Sequence, residues 1–173
     1  DILDLSRVEA GRLEIVEEPF HFGEAMVSVE QLFASLAEQK GLELIFQLDQ
    51  AIPVHVRGDS SRLQQIMSNL VGNAVKFTQE GSIRVDAVAL PALDPERCRV
   101  LFTIADTGIG ISDEQIMDLF EAFTQAENSF QRHYQGAGLG LSICRQLVRM
   151  LGGSMAVDSQ EGKGTTFYVS LPF

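Results

Sequence analysis

The segment Arg62-Leu-Gln-Gln-Ile-Met-Ser-Asn-Leu-Val-Gly-Asn-Ala-Val-Lys-Phe77 leaves little freedom in how this chain folds. Leu63, Ile66, Met67, Leu70, Val71, Ala74 and Val75 recur at helical spacing and draw one unbroken apolar stripe. A stripe of that length has to be covered, so it predicts a helix laid on a sheet or on other helices. Asp59 supplies an N-cap, and the helix should stop near Phe77, before the turn Thr78-Gln-Glu-Gly81. Asn69, Asn73 and Lys76 share a second, polar face of the same helix.

The rest of the chain alternates helix and strand patterns. Residues 1–12 read as the end of a helix stopped at Gly11, and Leu13 to Pro19 as an edge strand. A helix follows from about Gly23 to Gln39, with Met26, Val29, Leu32, Phe33 and Leu36 on one face. Strands are expected at Leu42–Leu48, Pro53–Arg57, Ser82–Leu90 and Arg97–Ala105, the last two joined as a hairpin through Pro91 and Pro95. After a Gly-rich turn come a short helix near Asp113–Phe120 and a polar loop to Gly136. A third amphipathic helix spans about Leu139–Leu151, and strands Ser154–Asp158 and Thr165–Leu171 close the chain. The class is α+β: one sheet with helices on one face.

Composition narrows the function. Thirteen Lys and Arg against 24 Asp and Glu give a net charge of −11 and a pI near 4.6. That balance argues against a nucleic-acid or anionic-membrane surface, while leaving room for a local cationic pocket. No apolar run approaches the roughly 20 residues that span a bilayer. Cys98 and Cys144 form no CxxC and lie in apolar stretches, as small core residues of a reducing compartment do. The chain opens on Asp1 without an initiator Met, and the expectation is a piece of a longer protein.

Three segments carry chemistry. On the long helix, an amide oxygen is a hard, neutral ligand suited to Mg²⁺, which draws most of its shell from water and phosphate oxygens. A Lys one turn further on could meet a phosphate; alone, the pattern also describes a solvated helix face. In Val100-Leu-Phe-Thr-Ile-Ala-Asp106-Thr-Gly108-Ile-Gly110 a buried strand delivers a carboxylate to its end, followed by glycines that let backbone approach a ligand. A carboxylate only accepts hydrogen bonds, so it would take adenine's exocyclic amine and leave guanine's carbonyl unmatched. Asp-Thr-Gly is also the loop of aspartic proteases, which need two such carboxylates; one occurs here. Gly136-Ala-Gly138-Leu-Gly140-Leu-Ser142 places glycines before a helix, where exposed amides bind phosphate or simply pack closely. It is neither the dinucleotide fingerprint nor a Walker A loop. Between the last two segments, the stretch from Phe120 to Gln135 has the length of a lid or a floppy loop; Arg132 and Gln135 near its end could reach phosphate oxygens.

In order, these segments resemble the sensor histidine kinases. Asn69-xxx-Asn73-Ala-x-Lys76-Phe-Thr resembles their N box, Asp106-x-Gly108-x-Gly110 the G1 box and Leu119-Phe120-Glu-x-Phe123 the F box. Gly136-x-Gly138-Leu-Gly140-Leu is similar to G2, and Gly162-x-Gly164-Thr-x-Phe167 to the last glycine box. Ile2-Leu-Asp-Leu-Ser-Arg-Val-Glu-Ala-Gly11 resembles the end of the dimerisation helix hairpin, so residues 1–12 would be its remnant and 13–173 the catalytic ATP-binding domain. The resemblance implies the Bergerat fold of the GHKL superfamily, a two-layer sandwich in which three helices cover one face of a mixed sheet. It implies ATP and Mg²⁺ as cofactors. Asn73 would hold the metal, with Asn69 and Lys76 near the phosphates. Asp106 would bind the adenine amine, lined by Gly108 and Gly110. Phe123, Leu139 and Thr166 would complete the nucleotide site, with Arg132 and Gln135 toward the γ-phosphate and Gly136, Gly138 and Gly140 wrapping the phosphates.

One departure qualifies the likeness. The family's phosphoacceptor is a helical His followed by an acidic residue, whereas His21, His55 and His133 precede Phe22, Val56 and Tyr134. The resemblance therefore implies a kinase domain that donates phosphoryl groups to a His on a dimerisation domain absent from this chain, for relay to an Asp of a response regulator. Its partners would be that dimerisation domain and a receiver domain, with no nucleic acid and no direct membrane contact. The parent would be a homodimer and this domain cytoplasmic, whatever anchors the parent. Two alternatives stand beside it. One is a GHKL ATPase, whose water-activating Glu one turn before the metal-binding Asn is replaced here by Asn69. The other is a degenerate ATP-binding module that senses or scaffolds.

Overall fold

A computed structural model describes residues 14–91, 98–112, 115–116 and 138–173. The remnant at 1–12, most of the Asp113–Phe120 helix, and Phe123, Arg132, His133, Gln135 and Gly136 lie outside the described residues.

The elements run β1 (Glu18–His21), α1 (Phe22–Gln39), β2 (Glu43–Leu48), β3 (His55–Gly58), α2 (Ser60–Phe77), β4 (Ser82–Leu90), β5 (Arg99–Asp106), α3 (Gly138–Met150), β6 (Ser154–Gln160) and β7 (Gly164–Pro172). Five strands form a mixed sheet in the order β2-β4-β5-β7-β6. The β2–β4 pair, separated in sequence by α2, is parallel, and the other pairs are antiparallel. Helical elements cover one face, giving the α+β sandwich.

The sheet is smaller than the sequence pattern implies. Among the described residues, β1 and β3 pair only with each other, as an antiparallel ribbon from Glu18↔Gly58 to His21↔His55. The early strand also begins later than the alternation at Leu13 suggests, because residues 14–17 are drawn toward α2 instead of pairing: the Val16 amide donates to Asp59 Oδ2 at 3.0 Å. Similarly, β3 starts at His55, with the Val54 carbonyl turned to accept from the Phe22 amide.

All seven stripe residues of α2 are buried, none more than 3% exposed, against sheet residues such as Ile83, Val85, Phe102 and Ile104. Each of these side chains except the small Ala74 contributes about 1.5–3 kcal/mol through burial. Phe102 is the aromatic centre: Phe22, first residue of α1, stacks on it with centroids 5.9 Å apart, and Phe173 meets it edge-on at 6.5 Å. On α1, Met26 and Val29 are buried as their spacing predicts, but Leu32 and Leu36 are 63% and 47% exposed. Further along the helix, Ala37 turns to the core in their place.

Candidate nucleotide site

The long helix starts where Asp59 caps it. Asp59 is buried, and its carboxylate accepts the Arg62 amide on Oδ1 at 3.0 Å and the Val16 amide on Oδ2. From that fixed start, α2 runs under α3 and ends against the loop after β5.

The first junction lies midway along α2. Gly138, Leu139 and Gly140 open α3. A β-carbon at Gly140 would stand 3.8 Å from Asn69 Cγ and 3.9 Å from Asn69 Oδ1. One turn on, the Cys144 thiol lies 3.8 Å from the Ile66 carbonyl and also hydrogen-bonds the Asn69 side chain. Burial pushes the thiol up to about 12, the Asn69 contact lowering it only in part, so Cys144 is a neutral packing group. Both Cys98 and Cys144 are free thiols.

The second junction lies at the end of α2. The Phe77 carbonyl accepts the Ile109 amide at 3.3 Å. A side chain at Gly108 would collide with that carbonyl at 2.6 Å, so only glycine allows loop and helix end to approach this closely. Gly110 has φ +68°, and a β-carbon there would fall 2.0 Å from the Gln160 carbonyl, which seats the loop on the β6–β7 turn.

Asp106 stands at the tip of β5, on the sheet face that carries Phe102 and Ile104 toward the helices. Its Oδ1 accepts the Gly108 amide at 2.8 Å and the Thr165 amide at 3.3 Å. Burial raises its pKa above the ordinary 3.8, and these two backbone bonds pull it partly back. Both bonds fall on Oδ1. Oδ2 therefore keeps its acceptor capacity toward a ligand amine as far as the described residues go.

The polar face of α2 is thus framed by both junctions. Asn73 is half-buried and sits one turn from Asn69 and one turn from Phe77. Lys76 is exposed, with Nζ 5.0 Å from the Phe77 ring centroid. Thr166 falls elsewhere: it pairs with Ala105, and strand alternation puts both on the face away from the helices. Thr165 faces the site instead. It is 6% exposed, its amide holds Asp106, and its hydroxyl lies 3.0 Å from Ser159 Oγ. The sequence signal for it was strand parity, counted back from buried Phe167.

For a metal, Asn73 offers one neutral oxygen, and no three His, Cys, Asp or Glu gather among the described residues. That donor chemistry fits a hard ion completing its shell from water and phosphates, and would not satisfy a structural transition-metal site.

A family model described as histidine kinase-, DNA gyrase B-, and HSP90-like ATPase matches residues 58–173. The chain belongs to that ATPase family. Within it, the likeness is to histidine kinases. The hybrid signal transduction histidine kinase L of Dictyostelium discoideum is 44% identical over all of this chain and a tenth of its own length. Full-length ShkA, solved in complex with AMPPNP, matches with a TM-score of 0.79 and 33% identity over 98% of this chain and 34% of that one. The catalytic domain of histidine kinase ThkA matches with a TM-score of 0.69 and 27% identity over 92% of this chain and 96% of that one. The chain is therefore a histidine-kinase-type catalytic ATPase domain, and it spans only about a tenth to a fifth of the curated relatives it matches. No helix among the described residues is long and apolar enough to cross a membrane.

Proposed function

We propose that this domain binds Mg·ATP between α2, α3 and the tip of β5, and transfers the γ-phosphoryl group to a His on a dimerisation domain elsewhere in its parent. The observation that carries this reading is the double mooring of α2, to Cys144 of α3 at Ile66 and Asn69 and to Gly108–Ile109 at Phe77, with Asn73 between. Asp106 Oδ2 accepts the adenine amine, while Gly108 keeps the wall beside the base bare of side chain. Thr165 fixes that carboxylate from the neighbouring strand. Asn69 and Lys76 face the phosphates, and the amides opening α3 at Gly138, Leu139 and Gly140 cradle them. Arg132 and Gln135 would serve the γ-phosphate, and Phe123 and Gly136 would complete the nucleotide site.

Asn73 would hold Mg²⁺, which supplies charge neutralisation on the transferred phosphoryl group. The chain's own residues position and exclude: they fix the base, align the phosphates and leave the nucleophile to the partner domain. Asn69 carries an amide where a hydrolytic relative would need a carboxylate base, which favours transfer over hydrolysis. The relay then passes to a receiver-domain Asp. We place the domain in the cytoplasm of a homodimeric sensor kinase, touching neither nucleic acid nor membrane.

Incubation with γ-labelled ATP tests this. The domain alone should remain unlabelled and should label a supplied dimerisation domain in trans. Acid-labile label on the isolated domain, or none on the supplied partner, overturns the assignment.

A further inference from the structure

α2 delivers the site residues, yet its last turn has a physical problem. Helix C-termini leave carbonyls without intrahelical partners and concentrate partial negative charge. Here the Ala74 carbonyl is satisfied by the Thr78 amide and the Phe77 carbonyl by the Ile109 amide of the glycine loop. The Val75 and Lys76 carbonyls, with the Thr78 carbonyl just past the helix, are taken by one residue at the end of α1. Lys40 Nζ lies 2.5 Å from the Val75 carbonyl, 2.8 Å from the Thr78 carbonyl and 3.4 Å from the Lys76 carbonyl. An ammonium has three donors and no acceptor, so three converging carbonyls match it fully.

Lys40 is held ready for this contact. It is the C-cap of α1, its amide bonded to the Leu36 and Ala37 carbonyls. Gly41 follows at φ +68° and lets the Leu42 amide return to the Ala37 carbonyl. The stem of Lys40 thus leaves a closed helix end and spans to a second one. No carboxylate shares the ammonium among the described residues.

We infer that Lys40 is a positioning residue of the nucleotide site: its ammonium sets the last turn of α2, and through it the Lys76 side chain and the Gly108–Ile109 loop moored on Phe77. The Lys40 ammonium contacts backbone carbonyls at the end of α2, so it acts on the site through that helix. This inference rests on the nucleotide-binding reading. The consequence is a defect in nucleotide affinity with the phosphoryl-transfer step at saturation intact.

The test compares the unmutated domain with Lys40→Met, Lys40→Gln and Lys40→Arg. Calorimetric titration with Mg·AMPPNP, transfer kinetics on a supplied dimerisation domain, and hydrogen exchange of the Ile109 amide are read together. Lys40→Met should weaken binding about fivefold, the size expected for losing a cation at a partly buried helix C-terminus. It should raise KM for ATP by a similar factor, leave kcat unchanged and speed exchange at Ile109. Lys40→Arg should recover most of the affinity because it restores cationic donors. Should Lys40→Met not fold, Lys40→Gln, which is one atom shorter and uncharged but ends in an amide donor pair, should show the same pattern in smaller measure. Wild-type affinity and exchange in Met or Gln, or an equal loss in Arg, overturns the inference. Failure of the unmutated domain to bind Mg·AMPPNP instead overturns the nucleotide reading itself.

Discussion

Asp106 Oδ1 receives the Gly108 amide from its own loop at 2.8 Å and the Thr165 amide from the adjacent strand at 3.3 Å, so one carboxylate oxygen locks two glycine-flanked turns together. Burying this carboxylate costs stability, and the two bonds offset the cost only in part, so the carboxyl stays above its ordinary value.

From this follows a trade-off. A carboxyl whose folded pKa is raised binds its proton more tightly in the native state, so its ionisation opposes folding once pH rises through that raised value. Asp106→Asn keeps an oxygen for both amides and removes the charge. It should raise the melting temperature at neutral pH, with the gain shrinking as pH falls through the raised value and gone below the ordinary carboxylate value of 3.8. The same variant should bind Mg·ATP more weakly, since an amide competes as donor with the adenine amine. Melts across pH with parallel calorimetry check both; a variant less stable than wild type at pH 7 contradicts the burial account.

Asn73→Ala removes an oxygen from a half-buried face, not from the stripe. Alanine is the best helix former, so the melting temperature should hold or rise slightly. Binding of Mg·ATP should fall while binding measured in excess chelator changes little. A melted domain contradicts the placement of Asn73 between the junctions.

Gly140→Ala separates packing from ligand space. Its β-carbon would meet Asn69 only at ordinary contact distance, so the fold accepts it and α3 gains up to about 1 kcal/mol of helix propensity. Nucleotide affinity should nevertheless drop, because the added methyl enters the space beside the Asn69 amide. Raised stability with unchanged affinity would remove Gly140 from the site.

Asp59→Ala strips the cap of α2 and the anchor of Val16 in one change. Loss of a cap alone costs about 0.5–2 kcal/mol, and the unsatisfied amides place this variant toward the upper end. Denaturant unfolding gives the value, and limited proteolysis should show faster cutting near Val16.

Much of this was legible in the sequence because the governing signals are local. Asp59 caps α2, the apolar stripe buries as spaced, and Asp106 ends β5 where the strand pattern met glycine. Strand partnership was not legible. The Leu13–Pro19 alternation looked like sheet, but Val16 is captured by Asp59 and only Glu18–His21 pairs, with β3 in a separate ribbon. Leu32 and Leu36 continue a helical stripe, yet α1 runs past the edge of what it covers and leaves them exposed. Of two consecutive threonines, strand parity selects Thr165 over Thr166. The role of Lys40 could not be read at all, since it depends on carbonyls of a helix that begins 20 residues later.

In the proposed site the Asp106 carboxylate reads the base. Calorimetric titration of the unmutated domain should show binding of Mg·ATP and at least about tenfold weaker binding of Mg·GTP, the cost of one unmatched buried polar pair. Equal affinities for the two nucleotides would remove Asp106 from that role.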